Sequence, residues 1–206
     1  HLTHGPYANP YELTTFYDNH DMPRMDATDN GFIDANNWLF TSRGIPVVYQ
    51  GSEMGFMRGK AEHQGNRNYL GQENIDRAKT HPIHSQLSAI TTVRKSHPAL
   101  QNGLQVNLEF SGEHAAFFRV IQHGDMAQTA LVLLNKGDDA YRFKITKYLQ
   151  SGLWSEVRFK EESQDLKEGS ALISNVDGHS VKVWVHEGQV TDPLMLKELT
   201  QLMAFK

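Results

Sequence analysis

Apolar residues in the first hundred positions alternate between strand-like and helix-like spacing. Residues 13–17 are an apolar run rich in β-branched side chains, which predicts a buried strand. Residues 30–43 repeat apolar positions at steps of three and four, which predicts a helix. Residues 45–50 predict a second buried strand without alternation, and a helix with an apolar stripe begins at Pro82 and ends near Ser96. Strands and helices joined by short connections are typical of α/β architecture.

The pattern changes after Pro98, where short strand-like runs are separated by turn residues. Such runs at this spacing predict an antiparallel β-sandwich. We therefore expect two domains, residues 1–102 and residues 103–206. A short amphipathic helix is predicted at the C-terminus, starting at Asp192 and Pro193. The predicted strands cover residues 104–110, 115–122, 127–135, 141–145, 154–159, 171–174 and 181–186, and the apolar face of the last helix consists of Leu194, Leu199 and Leu202.

Three segments between these elements are predicted to be loops or turns. Residues 54–77 are long and polar, which predicts a functional or disordered loop. Residues 161–167 carry many charges and predict a solvated turn. Gly44 follows the predicted helix 30–43 and suits the position just past a helix end, where a left-handed backbone is common.

The amino-acid composition of the chain excludes several classes of function. The 206 residues carry a net charge of −4, which gives no basic field for nucleic acid, and contain no apolar run long enough to span a membrane. Zero cysteines exclude a disulfide framework and thiol catalysis but leave the compartment open. Eleven histidines are many for this length. However, His1 and His4, or His63, His81 and His84, lack a tight metal-ligand spacing, so we predict no metal site.

The chemistry-bearing residues cluster where the first strand ends. Asp18, Asn19, His20 and Asp21 follow directly on residues 13–17. Parallel barrels present catalytic groups at the C-terminal ends of their strands, and a carboxylate with an imidazole can stabilise a developing cation and hold a polar substrate. The alternative is that Asp21 caps a following helix and His20 is an ordinary loop residue.

A second segment, residues 44–53, favours the first interpretation. Together with residues 16–21 it resembles the α-amylase superfamily, glycoside hydrolase family 13, in which such motifs form the seventh and eighth barrel strands. The resemblance covers roughly residues 10–100. It implies the C-terminal part of a (β/α)₈ TIM barrel, with strands seven and eight and their helices, followed by an antiparallel β-sandwich domain. The matching residues are Phe16, Asn19, His20 and Asp21, then Gly44, Pro46, Tyr49, Gly51 and Glu53.

The resemblance also implies roles for individual residues. Asp21 matches the family's third acid, which stabilises the transition state, and His20 matches a residue that hydrogen-bonds the same sugar, next to Asn19. Tyr17 is a candidate stacking platform. Asn66 and Arg67 resemble an Asn-Arg pair near the donor sugars in cyclodextrin glucanotransferases, although this chain has His63 where those relatives carry an acid. A surface salt bridge is the alternative role for Arg67.

The retaining mechanism of the family needs a nucleophile and a general acid about 5–5.5 Å apart. The resemblance places both on strands upstream of His1, so we expect a C-terminal fragment of a longer enzyme that is inactive alone. Its expected partners are an α-glucan oligosaccharide or cyclodextrin, and either the missing N-terminal part of the barrel or a symmetric copy of itself. No cofactor is evident, and calcium is expected only in the intact parent.

Four functions remain open at this stage. The first is an α-1,4-glucan hydrolase of the α-amylase or cyclomaltodextrinase type. A cyclodextrin glucanotransferase-type transglycosylase shares the same glycosyl-enzyme intermediate and differs only in the acceptor. A non-catalytic glycan-binding module on residues 103–206 would need a row of exposed aromatic side chains. A metal-dependent hydrolase using residues 19–21 would need further ligands.

Overall fold

A computed structural model describes residues 9–160 and 162–203. The first half holds two short strands, four α-helices and two 3₁₀ turns, and the second half holds eight strands and a terminal helix within those ranges. The first-half elements are β1 (Thr14–Thr15), α1 (Asp29–Thr41), β2 (Ile45–Pro46), α2 (Gln72–Ala78), α3 (Pro82–Ser96) and α4 (Pro98–Asn102). The second-half elements are β3 (Leu104–Phe110), β4 (His114–His123), β5 (Met126–Asn135), β6 (Tyr141–Ile145), β7 (Gly152–Glu156), β8 (Ser163–Leu166), β9 (Leu172–Val176), β10 (Ser180–Glu187) and α5 (Pro193–Met203).

The strands β1 and β2 pair in parallel, and helix α1 connects them. Thr28 caps the start of α1, because its side-chain oxygen accepts the Gly31 N–H. The connection from α1 back to β2 passes close to β1 at Gly44, which has a φ of 98°. A Cβ there would lie 2.9 Å from the Leu13 carbonyl oxygen, so this position needs glycine.

The prediction that both of these strands are buried is wrong. Ile45 is 49% exposed, Val47 is 42% exposed and Phe16 is 45% exposed. In the described residues each strand pairs only with the other, so their outer edges are unpaired. Pro46 has no N–H to donate, which shortens the ladder further. The strands therefore cover two residues each rather than the five or six predicted.

Six antiparallel strands form the main sheet, in the order β3-β4-β5-β10-β7-β8, and β6 pairs with β9 in a second sheet. Side chains alternate between the two faces of the main sheet. One face, with Phe118, Leu131 and Trp184, packs against β6, β9 and α5. The opposite face, with Phe117 and Val132, packs against α1, α3 and α4. The main sheet is thus the middle layer of the molecule.

Two buried arginines tie the helices to this sheet. Arg94 of α3 donates to the carbonyls of Phe40, Ser42 and Gly44. Arg119 of β4 is fully buried and donates to the carbonyls of Thr41 and Gly103. Burial lowers the pKa of Arg119, and the neighbouring charge of Arg94 adds to the effect. These guanidinium groups satisfy carbonyls at the end of α1 that no helical N–H reaches.

Three sequence predictions of elements need correction. The predicted loop 54–77 contains α2, whose seven residues bury only Ala78 and so show no apolar period. The predicted turn 161–167 contains the edge strand β8, which is polar except for buried Leu166. Helix α5 turns Met195 and Leu199 into the core, whereas Leu194 is 57% exposed. The apolar face of that helix therefore starts one residue later than predicted.

The described residues contain no helix that is both long and apolar enough to cross a membrane. The change from helices to antiparallel strands falls at Gly103, between α4 and β3. The division into domains 1–102 and 103–206 stays a prediction.

Candidate functional site

The loop after β1 forms a tight turn that presents two side chains to solvent. The Asn19 side-chain oxygen accepts the Asp21 N–H at 2.7 Å, a turn that asparagine favours. The side chains of His20 and Asp21 therefore point into solvent, where they are 60% and 58% exposed. Helix α1 is capped by Thr28, so the alternative in which Asp21 caps the next helix is wrong.

Both carboxylate oxygens of Asp21 have partners. Oδ1 lies 2.5 Å from Nη2 of Arg67, and Oδ2 lies 3.1 Å from Nε2 of His20. The backbone of the turn is held as well, because the His20 carbonyl accepts from Asn66 Nδ2 at 2.6 Å and from Arg67 Nε at 3.1 Å. The result is an oriented, solvent-facing carboxylate that can accept hydroxyl groups or face a developing positive charge.

Asn66 joins this turn to the rest of the molecule. Its side chain is fully buried, and its Oδ1 accepts the His63 N–H at 2.9 Å. Its backbone carbonyl accepts the Tyr49 hydroxyl at 2.6 Å, which connects the loop to the segment after β2. The Tyr49 ring also lies 6.5 Å from the His20 ring. The loop predicted at 54–77 thus contributes two residues to the group around Asp21.

Asp18 and Arg24 form a buried support beneath the turn, a role that the sequence pattern does not assign to either residue. Asp18 is 2% exposed and accepts the Met25 N–H and the Ser52 hydroxyl, both at 2.9 Å. Arg24 is 3% exposed and donates to the carbonyls of Gly65 and Gln50. Its guanidinium carbon lies 4.6 Å from the centre of the Tyr49 ring, and its Nη1 lies 4.0 Å from Asp18 Oδ2.

These contacts join the loops that follow β1 and β2 to the residues around Gly65. The only sequence signal for this role is the position of Asp18 at the end of an apolar run. Arg24 sits in a polar stretch whose pattern gives no sign that its guanidinium is buried.

Tyr17 has a different environment from the other candidate residues. Its hydroxyl donates to Asn36 Oδ1 on α1 at 2.9 Å, and its ring meets Phe32 edge to face. Burial raises the pKa of Tyr17 far above its ordinary value, and the nearby Asp18 charge adds to this. The structure therefore brings Asn19, His20, Asp21, Asn66 and Arg67 together, and it packs Tyr17 against α1.

The tryptophans and histidines bear on the alternative functions. Trp154 and Trp184 are fully buried, and their indole N–H groups donate to the Gln150 carbonyl and the Ser174 hydroxyl. Trp38 is 42% exposed at the edge of a cavity of about 400 Å³ next to Phe110. Trp154 and Trp184, the tryptophans of residues 103–206, are therefore core residues and add nothing to a row of exposed aromatic side chains.

Among residues 9–160 and 162–203, no group of three or more His, Asp or Glu side chains is placed to hold a metal ion. His81 accepts the Ile83 N–H at the start of α3, and His63 lies 3.2 Å from Glu62. His1 and His4 lie outside the described residues. Calcium elsewhere in the intact protein stays a prediction.

Comparison with known proteins gives the following matches. No protein-family model matches the chain. It is 33% identical over 208 residues to the cyclomaltodextrin glucanotransferase of Geobacillus stearothermophilus, covering 94% of this chain and 27% of that protein. It is 29% identical over 205 residues to the β/α-amylase of Paenibacillus polymyxa, covering 94% of this chain and 15% of that protein. Over 94% of its length the chain is similar to members of the α-amylase family.

Solved structures agree with this assignment at the level of the fold. An Anoxybacillus α-amylase matches the chain with a TM-score of 0.70 at 19% identity, covering 88% of this chain and 39% of that structure. The α-amylase of Geobacillus thermoleovorans, solved with acarbose, also gives 0.70, at 20% identity, over 91% of this chain and 42% of that structure.

The resemblance to the C-terminal portion of the α-amylase family, based on residues 16–21 and 44–53, is confirmed. The chain spans less than a third of the length of the two curated relatives and less than half of the two solved structures.

Proposed function

We propose that this chain is part of an α-glucan-active retaining glycoside hydrolase. In this proposal β1 and β2 are strands seven and eight of its (β/α)₈ barrel, and the strands after Gly103 form a β-sandwich domain. The observation that supports it most directly is the position of Asp21. Its carboxylate is oriented by Arg67 and His20 beyond the C-terminal end of β1, next to the parallel strand β2.

In the proposed mechanism Asp21 stabilises the positive charge that develops on the sugar. A retaining glycosidase needs a nucleophile and a general acid about 5–5.5 Å apart. We place these two carboxylates on earlier strands of the barrel, and assign to Asp21 a third, electrostatic role. His20 hydrogen-bonds a sugar hydroxyl. Asn66 and Arg67 do not bind the substrate directly but fix the turn that carries His20 and Asp21. The chain alone is then inactive.

The proposed substrate is an α-1,4-glucan or a cyclodextrin. Curated relatives include α-amylases and cyclomaltodextrin glucanotransferases, and solved neighbours include complexes with acarbose and with maltose. Asp21 and His20 fit such a substrate because exposed carboxylate and imidazole groups bind the hydroxyls of a sugar ring. An exposed apolar edge is formed by Phe16, Ile45 and Val47. We propose that this edge contacts the remaining barrel strands or a symmetric copy of this chain.

A chimera tests the proposal. This chain would replace the aligned segment of the Geobacillus stearothermophilus glucanotransferase, and release of reducing sugar from starch, maltoheptaose and β-cyclodextrin would be measured. We expect turnover from the chimera and about 10²–10³-fold less from the same chimera carrying Asp21→Asn. An Asp76→Asn chimera is the matched control, because Asp76 is an exposed carboxylate on α2, paired only on the surface with Lys79. A folded chimera with no turnover would contradict the proposal.

Transglycosylation is the second candidate, favoured by the glucanotransferase match and by the Asn66–Arg67 pair. Both reactions pass through one glycosyl-enzyme intermediate, so the acceptor decides between them. The same chimera incubated with starch separates them. Cyclodextrin formation indicates transfer to a sugar hydroxyl, and linear products alone indicate transfer to water.

A further inference from the structure

His179 lies between two carboxylates. Its Nδ1 is 2.7 Å from Asp34 Oδ2, and its Nε2 is 2.9 Å from Asp138 Oδ1. A neutral imidazole has one N–H and one lone pair, so it can donate to only one of these carboxylates. The other contact would then place a lone pair against a negative charge. With both carboxylates ionised, the two short distances are satisfied together only by the doubly protonated imidazolium.

The three residues belong to three different elements. Asp34 is on α1, Asp138 is in the turn after β5, and His179 is in the turn between β9 and β10. The His179 backbone has a φ of 54°, a left-handed conformation that histidine adopts more readily than most residues. This conformation places the ring between the helix and the other turn.

The two turns are joined to each other without the imidazole. The His179 N–H donates to the Gly137 carbonyl at 3.1 Å, and Asn135 Nδ2 donates to the carbonyls of Val176 and Asp177. None of these backbone carbonyl contacts titrates. The contact of His179 with Asp34 is different, because it connects the joined turns to helix α1 through a group that can lose its charge.

We propose that His179 is a pH-dependent clamp that holds α1 to the β-sheet while its ring is protonated and loosens the helix when the ring is neutral. The helix also carries Asn36, which accepts the Tyr17 hydroxyl, and Tyr17 directly precedes the turn of Asp18 to Asp21. Loosening α1 therefore acts on the helix that supports the candidate site.

The charges around the ring set the pH range. The hydrogen bond to Asp34, followed by that to Asp138, raises the pKa of His179 above its ordinary value, and burial opposes this. Burial raises the pKa of Asp34, whereas His179 and the nearby Lys136 lower it. Glu113, from the turn between β3 and β4, lines the same cavity as Asp34 and Lys136.

The sign of the pH effect follows from these directions. Because the pKa of His179 is higher in the folded chain, its stabilisation is complete below the unfolded value of about 6.5. It is lost as the pH rises through the folded value. On the acidic side, protonation of Asp34 removes the partner charge. The clamp is therefore strongest between the raised pKa of Asp34 and the raised pKa of His179.

Long-range ¹H–¹⁵N NMR of the 206-residue chain between pH 5 and 9 tests the ring state. We expect both ring nitrogens of His179 to be protonated at neutral pH, with a titration midpoint above the ordinary value. Asp34→Asn should lower the midpoint by roughly one unit, as expected for loss of an adjacent opposite charge. Asp138→Asn is the matched comparison with a smaller shift, because the Asp138 side chain is 97% exposed. A single neutral tautomer at pH 6, or a midpoint that Asp34→Asn leaves unchanged, overturns the proposal.

Amide exchange tests the clamp itself. Protection factors in α1, which correct for the intrinsic pH dependence of exchange, should fall as the pH passes the His179 midpoint. His179→Gln should lack this step. If the ring titrates as expected while α1 protection stays constant on both sides of the midpoint, His179 clamps nothing and the proposal is wrong.

Discussion

At the scale of single residues, Asp21 is the group whose chemistry can be tested most sharply. Its carboxylate meets Arg67 on one oxygen and His20 on the other. In the glucanotransferase chimera, Asp21→Asn should lower kcat about 10²–10³-fold with little change in KM, because the charge is needed mainly when the sugar becomes cationic. His20→Ala should have a milder effect, since it removes one hydrogen bond. Steady-state kinetics on maltoheptaose measure both, and near-normal kcat in Asp21→Asn would refute its assigned role.

Arg24 and Arg67 form a matched pair for stability. Arg24 is buried beside Asp18 and packs over Tyr49, whereas the Arg67 side chain is 58% exposed. Arg24→Met should reduce the free energy of unfolding by about 3 kcal/mol, because it leaves a buried carboxylate without its cation. Arg67→Met should cost less than about 1 kcal/mol. Urea unfolding of both variants makes the comparison, and equal losses would show that Arg24 is not the support described above.

Sequence reasoning identified the exposed part of this site better than its buried support. The run 18–21 and the pair Asn66 and Arg67 stand out as polar groups next to apolar motifs, and the structure brings them together. The burial of Arg24 has no signal in the sequence, because its guanidinium binds the carbonyls of Gln50 and Gly65, which are 26 and 41 positions away. No local pattern encodes such contacts.

At the scale of elements, the link between α1 and the main sheet passes through Arg119. Arg119→Met keeps an apolar stem but leaves the buried carbonyls of Thr41 and Gly103 unpaired. The free energy of unfolding should fall by about 3 kcal/mol, since each unpaired buried group costs about 1–3 kcal/mol. Arg142→Met on β6, an exposed position, is the control and should change little. Urea unfolding that fails to distinguish the two variants would contradict this account.

Elements with a strong apolar period were predicted well. The helix 82–96 and the strands 104–110 and 141–145 match α3, β3 and β6 residue for residue. The short elements α2, α4 and β8 were missed, because each buries only one or two side chains and so leaves no period to detect. The strands predicted at 13–17 and 45–50 are shorter in the structure, as β1 and β2, for a different reason. Their length depends on neighbouring strands rather than on their own sequence.

At the scale of the whole molecule, the helices of the first half and one face of the main sheet share an apolar core, while the outer edges of β1 and β2 stay uncovered. Unpaired strand edges and exposed apolar side chains favour association. We therefore expect the purified chain to self-associate, or to co-purify with a barrel fragment, in size-exclusion chromatography with light scattering. A monodisperse monomer with slow amide exchange at residues 14–17 and 47–49 would contradict this expectation.

In the proposed function this chain supplies a transition-state-stabilising end of an α-glucan-active barrel but neither its nucleophile nor its general acid. The most direct test is release of reducing sugar from maltoheptaose by three samples: the isolated chain, the barrel segment that precedes the aligned region of the Geobacillus stearothermophilus glucanotransferase, and the two co-expressed. We predict turnover only from the co-expressed pair, and a fall of about 10²–10³-fold when the chain carries Asp21→Asn. Turnover by the pure isolated chain, or a stable co-purified pair without any turnover, would contradict the claim.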